Sequence, residues 1–257
     1  MKKTSRSRGG RRVALAAMST AGALAMAGGA AAAPVNTNLV VNGGFENVNL
    51  QSTGAYNGPQ ILDWTGMSAF AYSHDGSSSS AGVVPNYADG TPPPGAGHWY
   101  FTSNNTGATD ANAPGLFFQN IDVSAGPSGA AIAAGTARYN LSAFMSSYEN
   151  DTDVGHAHIN FLNSAGASLG TAQLDDPDFG PNNVWNLNSV SGVVPVGTST
   201  MRLSLFGTRT EGGAGPDGYI DNVELSVTAV PEPAAAGVLG AGLFALTLTR
   251  RRRRDGP

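Results

Sequence analysis

The chain has 257 residues, and its formal net charge of −4 hides a strong asymmetry. Six of the fourteen Lys and Arg lie in the first twelve residues and five at positions 250–254. Residues 34–229 therefore keep only Arg138, Arg202 and Arg209 against sixteen Asp and Glu. A span this acidic repels nucleic acid and anionic membrane surfaces. With no Cys in the chain, disulfides, zinc–thiolate sites and thiol catalysis are excluded.

Residues 1–33 combine a basic start with an Ala-rich apolar stretch from Val13, and Ala30, Ala31 and Ala32 supply small residues for cleavage. This reads as a signal peptide addressed to the export machinery and signal peptidase. Cleavage after Ala32 is favoured, because Pro34 directly after the cut would hinder the peptidase. Arg11-Arg12 before Val13-Ala14-Leu15 weakly resembles a twin-arginine signal, and an ordinary basic start is the plainer reading. Residues 34–229 are enough for one β domain with a real core.

Within that span, apolar and polar residues alternate at the β period of two in several segments. The clearest are Arg138 to Ala143, His156 to Phe161, Met201 to Leu205 and Tyr219 to Val227. Asn163-Ser164-Ala165-Gly166 and residues 212–218 carry turn chemistry. No helical period of useful length interrupts them. The expected fold class is all-β, an antiparallel β-sandwich, with a signal peptide before it and a hydrophobic helix after it.

The alternation also assigns faces. If Tyr139, Leu141 and Ala143 point inward, Arg138, Asn140 and Phe144 point outward. By the same logic Ala157 and Ile159 put His156 and His158 outside, and Leu203 and Leu205 put Arg202 and Phe206 outside. If these strands share one face, it offers aromatic rings and planar hydrogen-bonding groups together, the chemistry that holds a sugar. His156 and His158 also make a His-x-His pair suited to a transition metal. No third ligand is identifiable, so two neighbouring surface histidines are the plainer reading. The acidic stretches Glu149 to Asp153 and Asp175 to Asp178 lack the EF-hand pattern and read as solvated loops. Trp64, Trp99 and Trp185 read as packing residues, Trp64 buried and Trp99 half-buried. There is no Gly-x-Ser-x-Gly and no His-Glu-x-x-His, so no catalytic residue is assigned.

Residues 230–257 place Pro231-Glu232-Pro233 before an apolar run, Ala234 to Thr249, and then Arg250, Arg251, Arg252, Arg253 and Arg254. The run spans roughly 24 Å as a helix, short against a hydrocarbon layer of about 30 Å, and the arginines hold the cytoplasmic side. In order and content this tail strongly resembles the PEP-CTERM sorting signal. The resemblance implies transient inner-membrane anchoring, processing by an exosortase, and a destination at the cell surface, outer envelope or extracellular matrix.

The body is familiar too. Asn38 to Glu46 looks like the opening strand of galactose-binding-like jelly rolls, Leu62-Asp63-Trp64 like the Trp-bearing segment after it, Phe118 to Ile121 like the strand before the central hairpin, and Gly218 to Val223 like the closing strand. In calcium-stabilised carbohydrate-binding modules of this shape the first and last strands hold a structural ion. The resemblance implies Glu46 and Asp221 as its acids, with carbonyls near Asn42 and Gly44. The function expected is a non-catalytic module for exopolysaccharide or another glycan. A structural biofilm-matrix protein without a discrete ligand is the alternative, and a secreted hydrolase comes third.

Overall fold

The computed structural model describes residues 37–230, apart from 54–56, 67–69, 89, 104–115, 150–151, 176–183 and 211–215. The leader and the sorting tail lie outside the described residues. Among the described residues fourteen strands follow in order: β1 (Val48–Thr53), β2 (Pro59–Ile61), β3 (Thr65–Gly66), β4 (Ala71–Ser73), β5 (Ser78–Ser79), β6 (Gly82–Val83), β7 (Trp99–Thr102), β8 (Phe117–Asp122), β9 (Ala137–Ser146), β10 (Val154–Leu162), β11 (Ser168–Asp175), β12 (Asn186–Val193), β13 (Thr200–Thr208) and β14 (Tyr219–Ala229). Helix α1 (Gly126–Ala133) joins β8 to β9.

The long strands form two five-stranded antiparallel sheets, ordered β11-β10-β13-β8-β3 and β12-β9-β14-β7-β4. They pack face to face as a jelly-roll β-sandwich, the expected class. The period of two explains the layering. Leu141, Ala143 and Met145 of β9 and Leu225 and Val227 of β14 point into the core, as do Ala157, Ile159 and Phe161 of β10 and Leu203 and Leu205 of β13. Ring contacts such as Tyr139 on Phe161 and Phe101 on Phe117 tie one sheet to the other, with centroids 5.3 Å apart in each pair.

Three expectations change. Asn38–Glu46 is a turn-rich segment running beside β14, not a strand. Leu39 N–H donates to the Leu225 carbonyl and Val223 N–H to that of Gly43. Asn42 and Phe45 adopt φ of 53° and 58°, which breaks any extended run. The second change is α1, whose eight residues are too short to show a helical period. Pro127 in its first turn and Gly135 just after it, at φ 71°, are start and stop signals that reading by periodicity passed over. Third, Trp64 is half-buried, its ring stacked 5.0 Å from Phe117, while Trp99 is the buried one.

A bulge at Asn222–Val223 interrupts the pairing of β14 with β9 between Asp221 and Glu224, and Asn222 sits there at φ 48°. Beyond the bulge the outer side of β14 carries exposed Glu224. Before it, Asp221 is fully buried on a face it shares with Tyr72, Tyr100 and Tyr219, and Trp185 packs on the Tyr100 ring. The bulge thus marks where an open face becomes a covered one.

Candidate functional site

The outer face of the sheet led by β11 is built in rungs by strand register. One rung sets Asp175, His156 and Phe206 side by side. The next sets Gln173, His158, Ser204 and Phe118, and the third Thr171, Asn160, Arg202 and Asn120. The middle of this array sinks into a depression of roughly 250 Å3, lined by His158, Asn160, Thr171, Gln173, Arg202 and Ser204. Arg202 is held in place, with Nε donating to Asn120 Oδ1 at 2.9 Å and its guanidinium carbon 4.6 Å above the Phe118 ring. Amide, hydroxyl, imidazole and guanidinium groups thus line one shallow groove beside the Phe118 ring. Such a surface can exchange hydrogen bonds with a hydroxyl-rich ligand.

At one end of the groove lies a tight cluster. His156 Nδ1 is 2.7 Å and His158 Nε2 2.8 Å from the same oxygen, Asp175 Oδ1. His156 Nε2 meets Thr208 Oγ1. Phe206 lies under both rings, stacked on His156 at 4.6 Å and edge-on to His158 at 4.7 Å. Burial pushes the His156 pKa down, and the charge on His158 would push the same way, against the opposing pull of Asp175. Burial would raise Asp175, but hydrogen bonds from the two histidines outweigh it and leave its pKa below the usual value. Neutral His156 beside ionised Asp175 satisfies both directions.

The residues expected on one face divide between two. His156, His158, Arg202 and Phe206 are together here. Arg138, Asn140 and Phe144 lie on β9, on the outer face of the other sheet. Inward and outward assignments hold for all three strands, but alternation carries no information about which sheet a strand joins. Phe206 is only 5% exposed, so it floors the histidines and is not an open platform. The single shared face is therefore corrected to one groove on the β10–β13 side. Sequence reading missed Thr171, Gln173, Asn120 and Phe118, and it left Asp175 in a loop although it ends β11. Asp153, also read as solvated, is buried, accepting from the N–H groups of Thr210 and Asp217 at 2.7 and 3.0 Å.

Glu46 and Asp221 stand apart from the groove. Asp221 Oδ2 is 3.0 Å from His74 Nε2, with both side chains buried, and its Oδ1 accepts from Asn222 N–H at 2.7 Å. Burial raises the Asp221 pKa against the pull of His74, and the charge on Glu46 raises it further. Glu46 Oε1 accepts from Trp99 N–H at 2.9 Å. Its carboxyl group presses on Gly97, where a Cβ would come within 2.2 Å of the carboxyl carbon. A calcium ion shared by these two carboxylates would compete with His74 for Asp221 Oδ2. Pro231, Glu232, Pro233 and the arginines at 250–254 lie outside the described residues.

No family model matches this chain, and no curated protein does. Among solved structures, the enzymatically active domain of tailspike protein 4 of bacteriophage CBA120 is 17% identical, covering 74% of this chain at a TM-score of 0.41, and this chain spans only 21% of its length. A xylan-binding domain from Paenibacillus barcinonensis is 11% identical, covering 77% of this chain and 99% of its own, at 0.40. A cyclase from Fischerella sp. TAU, in complex with an indole compound, is 12% identical, covering 77% and 98%, at 0.45. Likeness at this level carries no inference about what this chain binds.

Proposed function

We propose that the sandwich is a non-catalytic glycan-binding module and that the ligand lies in the groove on the outer face of β8, β10, β11 and β13. The observation that carries this reading is the fixed Arg202. Anchored by Asn120 and laid over Phe118, it presents a planar donor beside Asn160, Gln173, Thr171 and Ser204 in an open depression. A pre-set fork of donors loses little side-chain freedom on binding a hydroxyl-rich chain. The proposal extends to export and exosortase processing, with exopolysaccharide as the glycan and the envelope or matrix as the destination. That part rests on the leader and on the Pro-Glu-Pro tail alone.

The test is a polysaccharide pull-down and glycan array with the full chain, comparing Arg202→Ala and Asn160→Ala with Arg138→Ala on the opposite face. Loss of a charged hydrogen bond costs about 1.5–3 kcal/mol, roughly 10- to 150-fold in Kd. The expected result is that loss for Arg202→Ala and an unchanged Kd for Arg138→Ala. Binding that follows Arg138 would move the site to the other sheet. No binding to any glycan would favour a structural matrix protein. Replacement of Pro231, Glu232 and Pro233 by Ala is expected to leave the unprocessed chain in the membrane fraction of an exosortase-bearing host.

A further inference from the structure

A second site adjoins the groove and does not depend on the glycan reading. We propose that His156, His158 and Asp175 form a binding site for a divalent first-row transition metal of the zinc class.

The argument begins with strand geometry. Residues two apart on a strand share a face, so β10 presents both imidazoles on one side. The register of β11 then brings Asp175 opposite His156 and diagonal to His158. One ligand atom from each of His156, His158 and Asp175 lies within 4.8 Å of the others, and Nδ1 of His156 and Nε2 of His158 both reach Asp175 Oδ1. Ligands held at about 2.0–2.2 Å around a tetrahedral zinc sit roughly 3.3 Å apart. The hydrogen-bonded contacts of 2.7 and 2.8 Å need to open by about half an ångström for an ion to seat.

The surroundings suit that change. The rings are 14% and 17% exposed and Asp175 45%, so the cluster is reachable from solvent while the rings are packed in place. Phe206 holds both rings from below. Thr208 Oγ1 stands at the other nitrogen of His156, where a ligating histidine hands its remaining N–H to an acceptor. On each ring the nitrogen facing Asp175 gives its lone pair to the ion, and the ring's one proton stands on the other nitrogen. Nitrogen-rich donors with one carboxylate select zinc, cobalt, nickel or copper over magnesium and calcium, which want oxygen. Three protein ligands leave a fourth position for water or a ligand oxygen.

Zinc chloride titrated into the full chain by calorimetry at neutral pH tests the proposal. The variants are His158→Gln, Asp175→Asn, Thr208→Val and, at the other exposed His–Asp pair, His98→Gln. The expected result is one saturable micromolar site, weakened about 10-fold or more by His158→Gln and by Asp175→Asn, and about 10-fold by Thr208→Val. His98→Gln leaves it unchanged. Cobalt gives visible d–d bands that zinc displaces and calcium does not. A thermal melt of each variant without metal establishes that it is folded, and the cobalt spectrum of the unaltered chain decides on its own should a variant fail to fold. The proposal is overturned by the absence of saturable zinc binding, by binding that survives both His158→Gln and Asp175→Asn, or by binding lost with His98→Gln.

Discussion

The buried and the groove-rim His–Asp clusters use the same residue types for different ends. His74 and Asp221 face each other between the sandwich and its covering loops, 1% and 0% exposed. His156, His158 and Asp175 sit at the rim of an open groove. The inner pair is closed off from solvent, so removing either partner leaves a stranded polar group. The outer cluster can trade its hydrogen bonds for solvent or an ion at little cost. Burial makes the inner pair a structural one, and exposure leaves the outer one free to exchange partners.

The largest effect that would break this contrast is on stability. His74→Ala strands a buried carboxylate, which costs about 3–5 kcal/mol. His158→Ala removes a bond at a groove rim, worth about 1 kcal/mol. In a chain of this size each kcal/mol moves the Tm by roughly 2–4 °C. Melts of the two variants should therefore differ by several degrees, with His74→Ala far lower. Equal shifts would show that the buried pair contributes no more to stability than the exposed one.

Much of this contrast was legible in the sequence, and the illegible part has a definite cause. Alternation placed Arg202, His156 and His158 outward because a half-buried strand repeats every two residues. It grouped Arg138 and Phe144 with them because strand order depends on long-range pairing, of which a single strand carries no trace. Asp175 was within reach. Counting outward from the turn at Asn163, with a one-residue bulge near Leu169, sets it opposite His156. His74 was not, since its partner lies 147 residues away and only the finished sandwich joins them.

Metal preference gives the next largest effect. The inner site offers the carboxylates of Asp221 and Glu46, and Glu46 already loads Asp221 with a like charge that a cation would relieve. Calcium is proposed there, as zinc is at the rim. Calcium at a hundred times its Kd would add about 2.7 kcal/mol. The expected outcome is a melt that falls after EDTA dialysis, recovers with calcium and loses that response in Asp221→Asn. A melt indifferent to EDTA would mean that His74 and Asn222 meet the needs of Asp221 unaided.

The smallest effect is the response to acid, and here the two clusters have opposite signs. His156 faces Asp175 and His158, and burial holds its pKa below the ordinary 6.5. The unfolded chain takes up that proton first. Stability from His156 is therefore present above pH 6.5 and is lost as pH falls through the folded value. Asp175, also held below its ordinary 3.8, adds a loss of the same sign at lower pH. Asp221 faces His74 and Glu46, and its pKa is raised above 3.8. Its contribution is present below pH 3.8 and is lost as pH rises through the folded value. Urea unfolding across that range should show a decline below pH 6.5 that His156→Gln flattens. In Asp221→Asn the deficit against the unaltered chain should grow as pH falls, because the variant lacks the proton uptake that stabilises the fold. A deficit that shrinks on acidification would reverse the sign assigned to Asp221 and place its charge, not its burial, in control of the inner pair.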